Sequence, residues 1–216
     1  MKTKWQILYA ASAVGVLLGL LFNIQPLYWL AKPLLMISLA LHFMSVLQGA
    51  PHWRTTVLLA LLCSWAGDMF LISSDYFIQG LVSFLIAHVF YIIAYQQTGA
   101  ADGKLKPIDI VKFGLYGALL ITIIYPGLGN LLLPVLLYTG VLLLMGLWAH
   151  KRRGATTDKS FRLVATGAML FCLSDGMIAI NKFAFVIPAE RIWDMTIYMT
   201  AQFLIIQGLL HHPEKS

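Results

Sequence analysis

Charge is what this chain has least of. Only 11% of its 216 residues are charged, and nine of those are acidic. With 60% hydrophobic residues and a mean hydropathy of +0.81, it lacks the polar surface that a water-soluble domain of this length would have to expose. Cysteine is also scarce. Cys63 and Cys172 both fall within apolar runs, which excludes a disulfide framework or a zinc site and leaves them as small buried residues. No low-complexity tract interrupts the chain, and no H-E-x-x-H or similar motif is present. The reading therefore includes neither metal nor cofactor.

What is present is a series of apolar runs. Residues 5–22, 27–47, 55–72, 77–95, 108–125, 128–148, 161–180 and 192–210 are each long enough for a helix to cross about 30 Å of hydrocarbon. The loops between them are short. The expected fold is an all-α, polytopic membrane helix bundle of eight transmembrane helices, forming a single integral-membrane domain over residues 1–216. The first run follows Lys2 and Lys4 but ends in "FNIQPLYW" with no small-x-small cleavage site, so it reads as a retained span.

The net charge of +6 raises the possibility of a nucleic-acid partner, but the charges sort by side instead. With the N-terminus inside, the inner segments hold Lys2, Lys4, Arg54, Lys104, Lys106, Lys112, Lys151, Arg152, Arg153, Lys159, Arg162 and Lys215. The outer loops hold Lys182 and Arg191, and Lys32 lies within the second span. This asymmetry predicts cytoplasmic termini, with "HKRRG" against anionic headgroups and no nucleic acid. His42, His52, His150, His211 and His212 lie near inner span ends and read as interfacial. Residues 96–107 and 149–160 read as Gly-, Lys- and Asp-bearing inner connectors, of the composition that hinges and turns usually have. Pro33 and Pro134 sit inside spans, where each frees a carbonyl.

Against this background a few polar residues stand out. Asp68 lies near the end of the run "TTVLLALLCSWAGDMFLI", in which a mid-helix carboxylate costs about 2.5–3.5 kcal/mol on insertion scales. Ser64 and Asp68 share one helix face. So do His88, Tyr91 and Tyr95, and so do Asp194, Tyr198 and Gln202; Asp175 and Lys182 are seven apart. Such stripes face a bundle interior, predicting a polar pocket among spans two, three, four, seven and eight, in the outer half of the membrane. Lys32 taken alone could snorkel to the headgroups, and capping accounts for Glu190 and Asp194 at a helix start. The aspartates resist such explanations. One lysine cannot neutralise both Asp68 and Asp175, so one of the two is expected to hold a proton near neutral pH, as an acid beside a base. An offset of 107 places Asp68 over Asp175 and Tyr91 over Tyr198, suggesting two four-helix halves.

The motifs "AKP" (31–33), "CSWAGD" (63–68), "FIQG" (77–80), "FLIAHVFY" (84–91), "LPVLLY" (133–138), "FCLSDGMIAINKF" (171–183) and "TIYMTAQ" (196–202) occur together and in order. In this the chain resembles the YhhN-like family of eight-span membrane proteins, whose characterised members are lysoplasmalogenases. The resemblance implies hydrolysis of the vinyl ether bond of a lysophospholipid within membrane lipid, giving a fatty aldehyde and a glycerophospho-base. Asp68 and Asp175 would be the catalytic pair. Lys32, His88, Tyr91, Tyr138, Asn181, Tyr198 and Gln202 would contact substrate. The alternative is a small-molecule or lipid transporter built from the two halves. An intramembrane aspartyl protease is disfavoured, because Gly-x-Gly-Asp becomes Trp65-Ala66-Gly67-Asp68 and Ser174 precedes the second aspartate.

Overall fold

The computed structural model describes residues 2–213, and the side chains of all of these except Lys2, Thr3 and Ser74. Lys215 lies outside the described residues. The long elements are eight helices: α1 (Lys2–Leu21), α2 (Gln25–Val46), α3 (Trp53–Phe70), α4 (Phe77–Tyr95), α5 (Pro107–Ile124), α6 (Leu132–Lys151), α7 (Asp158–Phe183) and α8 (Glu190–Leu210). No strand occurs among the described residues.

Six of the eight are long and apolar enough to cross a membrane: α1, α2, α4, α5, α6 and α7, some together with an adjoining turn. The chain is an integral, multi-pass helical protein. The expected eight spans are thus met in helix number but only six times by length and composition. The other two, α3 and α8, are diluted by polar residues: Arg54, Thr55, Thr56, Ser64 and Asp68 in one, Glu190, Arg191, Asp194, Gln202 and Gln207 in the other. Each of these two helices carries a buried aspartate.

Packing divides the chain into two compact units, one ending at Ala94 and the other running from Tyr95 to Pro213. In the first, α1 packs along α2, and α2 along α3. Its core is Val16, Leu35, Met36, Leu39, Phe43, Val57, Ala60 and Leu61, all buried. Pro26 opens α2 at a position where its missing N–H costs nothing, and Pro33 passes within the helix without ending it. The α1–α2 turn uses Asn23 at a φ of 54°, a left-handed conformation that asparagine tolerates.

In the second unit, α7 packs against α5, α6 and α8. Thr157 caps α7, its hydroxyl accepting from the Ser160 N–H at 3.2 Å, a contact worth about 1 kcal/mol. The 26 residues of α7 span about 39 Å. Leu120, Ile124, Leu128 and Val135 form a core cluster that Ile180 and Phe183 complete. Pro134 sits in the first turn of α6, inside the span that this helix forms together with the short 3-10 turn before it (Gly129–Leu131). Proline is tolerated there.

Side-chain bonds tie down the connectors after α4 and α6. After α4 the chain makes a π turn over Gln96–Ala100, with Gly99 at a φ of 112°. Arg152 is fully buried: its Nε donates to the Thr98 carbonyl at 3.0 Å and one terminal nitrogen to Ser160 Oγ at 2.9 Å. Ser160 Oγ in turn donates to the Gly208 carbonyl at 2.7 Å. Arg153 pairs with Asp109 at 3.1 Å. Two cations of "HKRRG" are thus engaged within the protein itself.

Two of the supposed interfacial histidines are interior. His150 is packed edge-on against Phe113, with centroids 5.1 Å apart, and its Nδ1 is 2.9 Å from the Gly146 carbonyl. His42 is 2% exposed and lies against Gln6. His52 is exposed, and His211 and His212 are half-buried just beyond α8.

Candidate active site

In the first unit the site is built on α2 and α3. Lys32 lies seven residues into α2 and Asp68 two residues before the end of α3. The Lys32 ammonium stands 3.9 Å from Asp68 Oδ1, with each side chain 4% exposed. Lys32 therefore does not snorkel. The Tyr28 ring, one turn earlier on α2, lies 5.5 Å from the same ammonium, a second weak attraction for a desolvated cation.

Gly67 precedes Asp68, and a Cβ there would fall 2.6 Å from two ring atoms of Phe84, so the glycine is what lets α4 approach. Further along α4, His88 and Tyr91 are fully buried, as is Ser64 on α3. Tyr9 of α1 is also buried, within electrostatic reach of Asp68 and Tyr91.

In the second unit the polar contacts centre on α7. Tyr138 of α6 donates its hydroxyl to Asp175 Oδ2. Ser174 donates to Asp194 Oδ1 of α8. Tyr116 of α5 donates to the Cys172 carbonyl at 2.5 Å. On α8, Gln202 donates to the Tyr198 hydroxyl at 3.4 Å, and Phe171 meets the Tyr198 ring edge-on at 5.5 Å. Asp175 itself is half-buried, whereas Asp68 is 3% exposed. α7 continues eight residues past Asp175, so the two aspartates, expected at matching depths, differ in their distance from the helix end.

The expected residues thus fall into two groups: Lys32, Asp68, His88 and Tyr91 in the first unit, and Tyr138, Asp175, Asn181, Tyr198 and Gln202 in the second. Lys32 is brought to Asp68, Tyr138 to Asp175, and Tyr198 to Gln202. Asn181 has a shaping role: its oxygen accepts from the Ile187 N–H at 2.9 Å and its nitrogen donates to Glu190 at 3.4 Å, folding the turn before α8. Sequence reasoning missed Tyr9, Tyr28, Tyr116 and the Ser174–Asp194 bond. Tyr28 had a usable signal in its four-residue spacing from Lys32. Tyr116 had only its isolation among apolar neighbours in α5.

Comparison with known proteins gives the same direction. The YhhN family model matches residues 27–209. The chain is 33% identical over 166 residues to lysoplasmalogenase TMEM86B of Mus musculus, covering 76% of this chain and 68% of that protein. It is 32% identical over 185 residues to lysoplasmalogenase TMEM86B of Sus scrofa, covering 86% and 76%. Against lysoplasmalogenase TMEM86A of Homo sapiens it is 33% identical over 177 residues, covering 79% and 71%. No solved structure matches it. With its motifs in order and the family model spanning all but the ends, this chain belongs to the YhhN family.

Proposed function

We propose that this protein hydrolyses the vinyl ether bond of lysoplasmalogens, releasing a fatty aldehyde and a glycerophospho-base. The observation that carries this is its similarity, over most of its length, to relatives that are themselves lysoplasmalogenases. Protonation of the alkenyl carbon beyond the ether-bearing one generates an oxocarbenium ion. Water adds to that ion, and the resulting hemiacetal collapses to aldehyde and alcohol. The reaction asks for a carboxylic acid that donates to carbon, a carboxylate that stabilises the cation, and a base that takes a proton from water.

Asp68 and Asp175 are the residues proposed for these roles. Asp68, beside the Lys32 ammonium, suits the ionised role, leaving Asp175 as the acid, with Tyr138 orienting its carboxyl. Lys32 also offers a charge to the substrate phosphate, while His88, Tyr91, Tyr198 and Gln202 orient water and the glycerol hydroxyl. The protein is placed as a single membrane domain of eight spans in a bacterial inner membrane, and the charge asymmetry supports cytoplasmic termini.

The test is aldehyde release by purified protein in detergent, given lysoplasmenylethanolamine and, in parallel, its saturated ether analogue. The saturated analogue has no double bond to protonate. Aldehyde from the vinyl ether alone is expected. No aldehyde, together with lipid flux across sealed vesicles, would favour the transporter instead.

A further inference from the structure

Ser174, Asp175 and Gly176 each meet a different helix. Ser174 is 1% exposed, and its hydroxyl donates to Asp194 on α8. Asp175 accepts from Tyr138 on α6. Gly176 leaves the space taken by the Tyr116 hydroxyl of α5, which donates to the Cys172 carbonyl one turn earlier on α7. Successive helical residues point about 100° apart, so three in a row cover roughly 200° of the helix circumference. We infer that Ser174-Asp175-Gly176 is a three-way clamp, in which Tyr116, and Asp194 acting through Ser174, are positioning residues for the Asp175 carboxyl. The inference deepens, and rests on, the reading of Asp175 as an acid/base group.

The clamp resists rotation of α7 about its own axis. A carboxyl about 5–6 Å from a helix axis moves on the order of 1 Å for a 10° turn. Misplacement of a reacting group by about 1 Å can cost on the order of 100-fold in rate. Tyr138 constrains Asp175 from the α6 side. The contacts at 174 and 176, on either side of it, remove the remaining freedom. Glycine at 176 is required because a Cβ would collide with the Tyr116 hydroxyl. An ordinary interhelical hydrogen bond would affect stability without touching Asp175. The two roles are separable.

The experiment uses the full chain with Tyr116→Phe, Ser174→Ala and Ser174→Thr. It measures kcat and KM for lysoplasmenylethanolamine together with the infrared band of the Asp175 carboxyl. That band is isolated by subtracting the spectrum of the same protein carrying Asp175→Asn. Tyr116→Phe and Ser174→Ala are each expected to lower kcat about 10-fold or more with little change in KM, and to shift the band. Ser174→Thr keeps the hydroxyl and is expected to restore both. If Ser174→Ala does not fold, Asp194→Ala removes the same bond from the other side and carries the same expectation. Wild-type kcat and an unmoved band in the Tyr116 and Ser174 variants would overturn the clamp. If the wild type releases no aldehyde, the hydrolysis reading fails and the band decides the clamp alone: a shift supports it and an unmoved band overturns it.

Discussion

The Lys32 ammonium and the Asp68 carboxylate face each other at 3.9 Å, both nearly sealed from solvent. Two charges are expensive to bury, and their attraction offsets that cost only while both are present. The pair is therefore a source of fragility. Lys32→Met leaves an uncompensated carboxylate and is predicted to lower stability by about 3–5 kcal/mol. Adding Asp68→Asn to Lys32→Met should recover much of that loss while the protein stays inactive. Thermal unfolding of the two variants side by side checks the coupling. Independent, additive effects would show that the charges do not depend on each other.

Gly67 is predicted to be intolerant of even one methyl group. A Cβ would approach Phe84 to 2.6 Å, and Phe84 is itself buried with little room to yield. Gly67→Ala should cost about 1–3 kcal/mol by overpacking and should lower activity by displacing Asp68. Unfolding and turnover measured on one preparation test both effects.

Arg152 is predicted to hold the π turn, the start of α7 and the end of α8 together. Lysine cannot replace it, since a single ammonium cannot reach acceptors on both Thr98 and Ser160 as a guanidinium does. Arg152→Lys should destabilise nearly as much as Arg152→Met, each by about 1.5–3 kcal/mol per lost charged hydrogen bond. Burial lowers this guanidinium from its ordinary range to about 10. Below roughly pH 9 it is charged in folded and unfolded chain alike, so its contribution should not vary with pH there. Only above pH 10 would the folded chain bind fewer protons than the unfolded, and stability then rise with pH. Unfolding of wild type and Arg152→Met from pH 6 to 9 should give two parallel curves.

Protonation at carbon leaves an isotopic record. Turnover in heavy water, with the aldehyde reduced to alcohol as it forms, should place one deuterium on the carbon next to the former ether-bearing carbon. Mass spectrometry of the trapped alcohol reads it directly. Unlabelled product would rule out the oxocarbenium route.

The helices were legible because apolar runs of membrane-spanning length admit few other readings. The division into units also agrees with the repeat offset of 107: Asp68 lies on the third helix of the first unit and Asp175 on the third of the second. The family motifs pointed to the aspartates. What sequence could not convey was which polar residues the fold uses on itself. Arg152 and Arg153 look like any basic loop until Thr98, Ser160 and Asp109 are placed beside them. His150 reads as interfacial because nothing in its neighbours announces Phe113 and Phe161. Lys32, two turns into α2, invites snorkelling, and only the position of α3 shows that a carboxylate holds it. The Ser174–Asp194 bond joins residues twenty apart on different helices, and no periodicity within one helix reports it.

The most direct test compares aldehyde release from lysoplasmenylethanolamine by wild type, Asp68→Asn and Asp175→Asn, each first shown to be folded. Asparagine keeps the shape of the side chain and removes its ability to carry or accept the proton. The account predicts release by the wild type and its loss in both variants, by at least about 100-fold. Near-wild-type release by either variant would contradict the assignment of that carboxyl to the reaction.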